Sequence, residues 1–186
     1  EIYYKLGELD KAMEFLERSL EINEKIGERY NIADLLVTMG GVMLARSDMA
    51  KARAYYDRSL ALCREIGDDR TYVHALCGLV EIRLEEEDYG DVLDALEKAL
   101  VLASGIGAKL EEGMVHRVLG MTYGTMGMWD RSREEFDSAE SISREIGNKE
   151  SLARTLYEHG LLLDEMGDCK GSKMLLERAK DEFEGM

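Results

Sequence analysis

The chain has 186 residues, 45% of them hydrophobic and 34% charged, with no proline; this excludes disorder and suits soluble, strongly amphipathic helices punctuated by glycine. Lys and Arg number 24 against 39 Asp and Glu, a formal charge of −15 that repels phosphate backbones and anionic lipid and so excludes nucleic acid and membrane as partners. Cys63, Cys77 and Cys169 are scattered and odd in number, no apolar run nears the roughly 18 residues of a membrane span, and no basic-then-apolar leader opens the chain, so a reducing cytoplasmic setting is expected.

Residues 1–6 predict the tail of a helix, which makes the chain a piece of a longer protein, and Gly7-Glu8 turns into a second helix. There Leu9, Ala12, Leu16, Ser19 and Leu20 share one face. Gly27 ends it, because a residue without Cβ takes the left-handed position after a helix most easily. In the first full unit Ala33, Leu36, Val37, Met39, Gly40, Met43 and Leu44 mark one helix, and Ala52, Tyr55, Tyr56, Ser59, Leu60, Cys63 and Ile66 the next. Asp48 between them is placed to cap the first-turn amides. The second unit repeats this with Val73, Leu76, Leu79, Val80 and Leu84, then Asp88 as cap, then Val92, Leu96, Ala99, Leu100 and Ile106. The third carries Val115, Leu119, Gly120 and Tyr123, then Trp129, Phe136, Ala139, Ile142 and Ile146. The last has Leu152, Ala153, Leu156, Gly160 and Leu163, turns at Gly167-Asp168, and ends with Leu175, Leu176, Ala179 and Phe183. Lys173, Glu177, Lys180 and Glu184 give that final helix a more polar outer row, as a terminal cap would have.

Ile26-Gly27, Ile66-Gly67, Ile106-Gly107 and Ile146-Gly147 recur every 40 residues. A fixed period of this length predicts stacked helix pairs whose core is a strip between neighbours. No linker interrupts it. The expected organisation is one array over 1–186, with a partial repeat at 1–27 and repeats at 28–67, 68–107, 108–147 and 148–186. Short connections make consecutive helices antiparallel.

Within each period a small residue on the first helix is followed by a second small residue, a bulky one and a third small one. These are Gly40, Ala52, Tyr56 and Ser59, then Val80, Val92, Leu96 and Ala99, then Gly120, Ser132, Phe136 and Ala139, then Gly160, Ser172, Leu176 and Ala179. Small side chains let two helices approach, and the bulky one fills the gap beside them. This pattern resembles the tetratricopeptide repeat (TPR) over essentially the whole chain, although the usual period is about 34 residues and Ile-Gly stands where a proline is usual. The longer form is similar to the repeats of kinesin light chain, of spindle-orientation adaptors, and of regulatory arms fused to signalling ATPases, cyclases and transcription activators. The resemblance implies an all-α fold, a right-handed α-α superhelix (solenoid) of TPR-like antiparallel helix pairs, and a non-enzymatic module binding a peptide or helical segment in its concave groove. The alternative is a regulatory segment of a larger signalling ATPase, cyclase or transcription activator.

Carried over column by column, the resemblance assigns the groove to Asp34, Val37, Gly41 and Leu44, then His74, Cys77, Glu81 and Leu84, then Met114, Arg117, Met121 and Gly124, then Arg154, Tyr157, Leu161 and Asp164. The asparagines with which adaptor relatives hold an extended backbone are absent from Thr38, Gly78, Val118 and Glu158 and from Gly41, Glu81, Met121 and Leu161. Arg117 and Arg154 only echo the carboxylate clamp of chaperone adaptors. An apolar lining with acidic marks suits a protein segment that is apolar with some basic residues, and exposed array ends suit self-association.

Other chemistry has a plainer explanation. His74, Cys77 and Glu81 lie on one helical face but lack an evident fourth ligand, so no metal is expected. His116 stands in a leucine column and His159 in a Met/Leu column, which reads as packing. The histidines lie in separate repeats without a nucleophile context, so neither catalytic residues nor a cofactor are expected. Gly167 to Lys173 lacks the order and preceding strand of a phosphate loop. The acidic run Glu85 to Asp88 reads as a solvated turn, and the 11 methionines chiefly as core filling.

Overall fold

The computed structural model describes residues 8–185, and the helix tail expected over residues 1–6 lies outside them. The described residues form nine α-helices and no strand: α1 Leu9–Ile26, α2 Arg29–Ala45, α3 Met49–Ile66, α4 Asp69–Glu85, α5 Val92–Gly105, α6 Lys109–Thr125, α7 Trp129–Glu145, α8 Lys149–Glu165 and α9 Cys169–Glu184. None is long and apolar enough to cross a membrane.

Helix ends follow the glycines. Gly27 and Gly67 take φ of 77° and 72° and return their amides to Asn23 and Cys63, which is the left-handed stop expected where no Cβ obstructs. Asp48, Asp68, Asn148 and Asp168 cap α3, α4, α8 and α9 by accepting from the amides of Lys51, Thr71, Ser151 and Gly171 at 2.9–3.1 Å. The cap expected at Asp88 does not form: α5 starts at Val92, and Asp88 accepts instead from the Gly90 amide at 3.4 Å. Gly90 is a poor residue for a first helical turn, and the acidic run ahead of it favours solvent, so the connection is longer here.

The described residues fall into two compact units, one ending at Glu86 and the other beginning at Glu87. In the first, α1 packs on α2, α2 on α3 and α3 on α4; in the second, α5 packs on α6, α6 on α7, α7 on α8 and α8 on α9. Tyr56 of α3 is 4% exposed, and a Cβ on Gly40 would lie 2.6 Å from its ring, so only glycine admits the ring at that crossing. The ring also fills the space at Gly78 of α4. Gly120 and Phe136 repeat the arrangement between α6 and α7, and Gly160 and Leu176 between α8 and α9, with a built Cβ at 2.9 and 3.0 Å from the larger side chain. Ser59 and Ser132 sit in these crossings and donate their hydroxyls to the Ala33 and Gly120 carbonyls at 2.9 and 2.6 Å, so close approach leaves no buried hydroxyl unsatisfied.

Not every expected core residue is inside. Ile106 and Ile146 are 45% and 38% exposed, and Trp129 is 38% exposed. Each sits at a helix terminus, where no further turn of its own helix shelters it.

Candidate functional site

The first helices of the repeats lie side by side within each unit, α2 against α4 and α6 against α8. In the first unit Asp34 is exposed and Val37, Gly41, Leu44, His74 and Glu81 are half-buried, whereas Cys77 and Leu84 are buried. His74, Cys77 and Glu81 are not gathered into a metal-holding group. Burial pushes the Cys63 thiol up in pKa, with the Ser59 hydroxyl acting against it, which disfavours the reactive thiolate. Cys77 is buried too, and Cys169 is exposed.

In the second unit the face is organised by charge. Arg117 of α6 is 3% exposed; its Nη1 donates to Glu158 Oε2 of α8 at 2.5 Å and lies 3.5 Å from Met121 Sδ. Arg154 Nε donates to the other Glu158 oxygen at 3.0 Å. The Glu158 carboxylate thus bridges two guanidinium groups, one from each helix, which offsets the cost of burying charge. Gly124 is also buried, and a Cβ there would strike Leu162 of α8, so backbone and ion pair together bring the helices close. Met114 and Met121 are half-buried, while Arg154, Asp164, Tyr157 and Leu161 are exposed, the last two by 48% and 43%. Column matching puts Glu158 where adaptor relatives carry asparagine but leaves it out of the groove lining. An opposite charge one period and one residue beyond Arg117 was the available signal.

The two histidines of this unit, His116 and His159, meet α7. His159 is buried and stacked on Phe136, ring centroids 4.9 Å apart and planes 8° from parallel. Among the described residues its Nε2 has no hydrogen-bond partner. Burial holds its pKa below the ordinary value, against Asp137 and Glu140, while Arg133 and Arg178 act with the burial. His116 is half-buried and reaches Glu135 at 2.6 Å. The exposed acidic run contributes Glu86, which meets Arg53 at 2.5 Å, and the stretch resembling a phosphate loop is the capped start of α9.

Comparison with known proteins adds three findings. Two family models, each described as tetratricopeptide repeat, match residues 31–103 and 1–26. Over 125 residues, 67% of its length, the chain is 32% identical to the 43 kDa receptor-associated protein of the synapse from Tetronarce californica, and it spans 30% of that relative. Among solved structures, BtubC (BKLC) from P. vanneervenii superposes with a TM-score of 0.67 at 17% identity, covering 99% of this chain and 76% of the other. A kinesin light chain-type protein of Podosopora anserina with nearly identical TPR-like repeats gives 0.61 at 14% identity, covering 97% and 89%. At such identities the structural likeness speaks for the fold alone.

Proposed function

The chain belongs to the tetratricopeptide repeat family, and from that premise we propose that it is a non-enzymatic interaction module whose first-helix faces bind a peptide or helical segment of a protein partner. The observation that carries this reading is on α8: Tyr157 and Leu161, one helical turn apart, are 48% and 43% exposed on a face that Arg117, Glu158 and Arg154 hold against α6. Large apolar side chains on a rigid, ion-paired platform gain roughly 25 cal/mol per Å2 when a partner covers them, before association costs.

Charge selects among such segments. Asp34 and Asp164 are exposed and Glu81 is half-buried on the same helix faces, so apolar segments with basic residues are favoured over acidic ones. A relative whose name records association with a receptor supports the interaction reading over that of a regulatory segment in an ATPase, cyclase or transcription activator. Free cysteines fit the reducing cytoplasm in which we place the protein.

Isothermal titration with a panel of helical peptides tests the proposal. Basic-apolar peptides bind the wild type, and Tyr157→Ala with Leu161→Asp weakens them at least about tenfold. Glu81→Lys lowers the preference for basic over acidic peptides. Equal affinity of wild type and the double variant for every peptide would sink the groove assignment.

A further inference from the structure

We propose that the turn joining α6 to α7 is a second docking site, on the edge of the second unit, and that it takes a short helix of a partner protein, apolar in its middle and basic at both ends. This goes beyond the groove reading, because the site is built on a connection and shares no residue with the first-helix faces.

The turn departs from a pattern that its neighbours keep. Asp48, Asp88 and Asp168 stand in the column of Met128, and Asp48 and Asp168 cap their helices from it. Met128 makes no side-chain hydrogen bond to the start of α7, so α7 lacks the contact that steadies α3 and α9. The thioether does not fill the core either. Met126, Met128 and Trp129 are 41%, 39% and 38% exposed, and residues 125–131 are exposed without interruption. Met126 stands in the column of Arg46 and Glu86, charged residues that suit a solvated turn. Two flexible methionines beside the chain's only tryptophan make an adaptable apolar patch with an aromatic anchor. Contiguous exposed side chains of this kind mark interaction sites.

The charges around the patch define its guest. Consecutive helices run antiparallel, so the ends of α6 and α8 and the starts of α5, α7 and α9 lie along one edge of the second unit. Met126, Met128 and Trp129 stand in the middle of that edge. Glu87 and Asp88 flank them on the side of α5, Glu165 and Asp168 on the side of α9, and Asp130 follows Trp129 directly; all are exposed. Against these acids stand Lys170 and Arg131, whose guanidinium lies 5.5 Å from the Tyr123 ring centroid. A row that is acidic, apolar and acidic calls for a guest that is basic, apolar and basic. Neighbouring helices pack about 10 Å apart, so the row spans about 20 Å, the length of a helix of about 13 residues. A second copy of this chain is a poor guest, because at a net charge of −15 it brings acids to acids.

Trp129, the only tryptophan, reports on its own site. The probe is a synthetic helix of about 14 residues with lysines at both ends and a central row of leucines, titrated into the full chain and followed by tryptophan emission. Emission shifts to the blue and saturates as the indole leaves water, in the wild type and equally in a Tyr157→Ala, Leu161→Asp variant whose groove is disabled. Met126→Gln with Met128→Asp weakens binding at least about tenfold, and Glu87→Lys with Glu165→Lys weakens it as well. Met128→Asp alone raises the urea midpoint, since it gives α7 the cap of α3 and α9; weaker binding by that variant is then not a loss of fold. A peptide with glutamates in place of the lysines leaves the emission unchanged. An emission that does not shift, a shift that survives the methionine variants, or a lower urea midpoint for Met128→Asp overturns the proposal. A shift lost in the groove variant would put the peptide on the first helices and overturn it too, whereas failure of the groove reading alone leaves the shift in place. An equal shift with neutral phosphatidylcholine vesicles assigns the turn to a membrane surface and overturns the protein-guest reading.

Discussion

At Ser47 and Glu87 the backbone takes φ of 59° and 57°, the left-handed region that Gly127 and Gly167 occupy at 71° and 81° in the same column of later repeats. A side chain there meets the following carbonyl, at a cost of about 1 kcal/mol. Ser47→Gly therefore raises stability by about 0.5–1 kcal/mol, less whatever the unfolded chain gains in freedom; a urea melt showing a loss would mean that the Ser47 hydroxyl stabilises the turn. His159 makes a second prediction, on pH. Its folded pKa lies below the ordinary 6.5 because it is buried, so the unfolded chain takes up a proton that the folded chain refuses. The stability it contributes is present above the unfolded pKa and is lost as pH falls through it. Between about pH 7 and 5 the wild type loses more thermal stability than His159→Met, a substitution that borrows Met39 from the same column. Equal losses would show that the ring is not protonation-limited. The sequence marked His159 as a packing residue from its column, but not Phe136 as the ring it stacks on, because stacking depends on the spacing of α7 and α8.

The helix pair is the element on which this fold is built, and its keystone is a ring between glycines. Tyr56→Ala removes the side chain that fills the spaces at Gly40 and Gly78 and costs about 3–5 kcal/mol. A denaturant melt shifted by less than about 1 kcal/mol would show that α2, α3 and α4 close up around the gap. The alternation of small and large residues was legible because its spacing recurs in every repeat. What could not be read was that Tyr56 also serves α4, since contact with the next repeat is set by how pairs stack. Helix starts were less legible than stops: Asp48 caps as expected, while α5 begins only at Val92. A carboxylate caps only if the next residues continue into a helix, and Gly90 opposes that. The platform on α6 and α8 was half legible. The columns point to Arg117 and Arg154, but that Glu158, beside Arg154 on α8 and 41 residues from Arg117, joins them depends on how closely α6 and α8 approach.

Across the whole molecule, the acidic connection where the two compact units divide offers a dense set of glutamates for cleavage, with Glu85, Glu86, Glu87 and Asp88 all exposed. A glutamate-specific protease at low dose cuts there first, giving two fragments that mass spectrometry assigns to residues up to and beyond this run. First cuts within α1 or α7 instead would show that those helices open more readily than the connection. The all-helical class, the 40-residue period, the glycine stops and the residues that let paired helices touch can be read directly from the amino-acid order. All of these are local or recur at constant spacing, and a periodic pattern writes its own register. Packing between helices sets the commitment of Arg117 to Glu158, the burial of Cys77 and Leu84, and the exposure of Tyr157 and Leu161. These depend on the distance and rotation between neighbouring helices, which side chains from several repeats set jointly and no single repeat encodes.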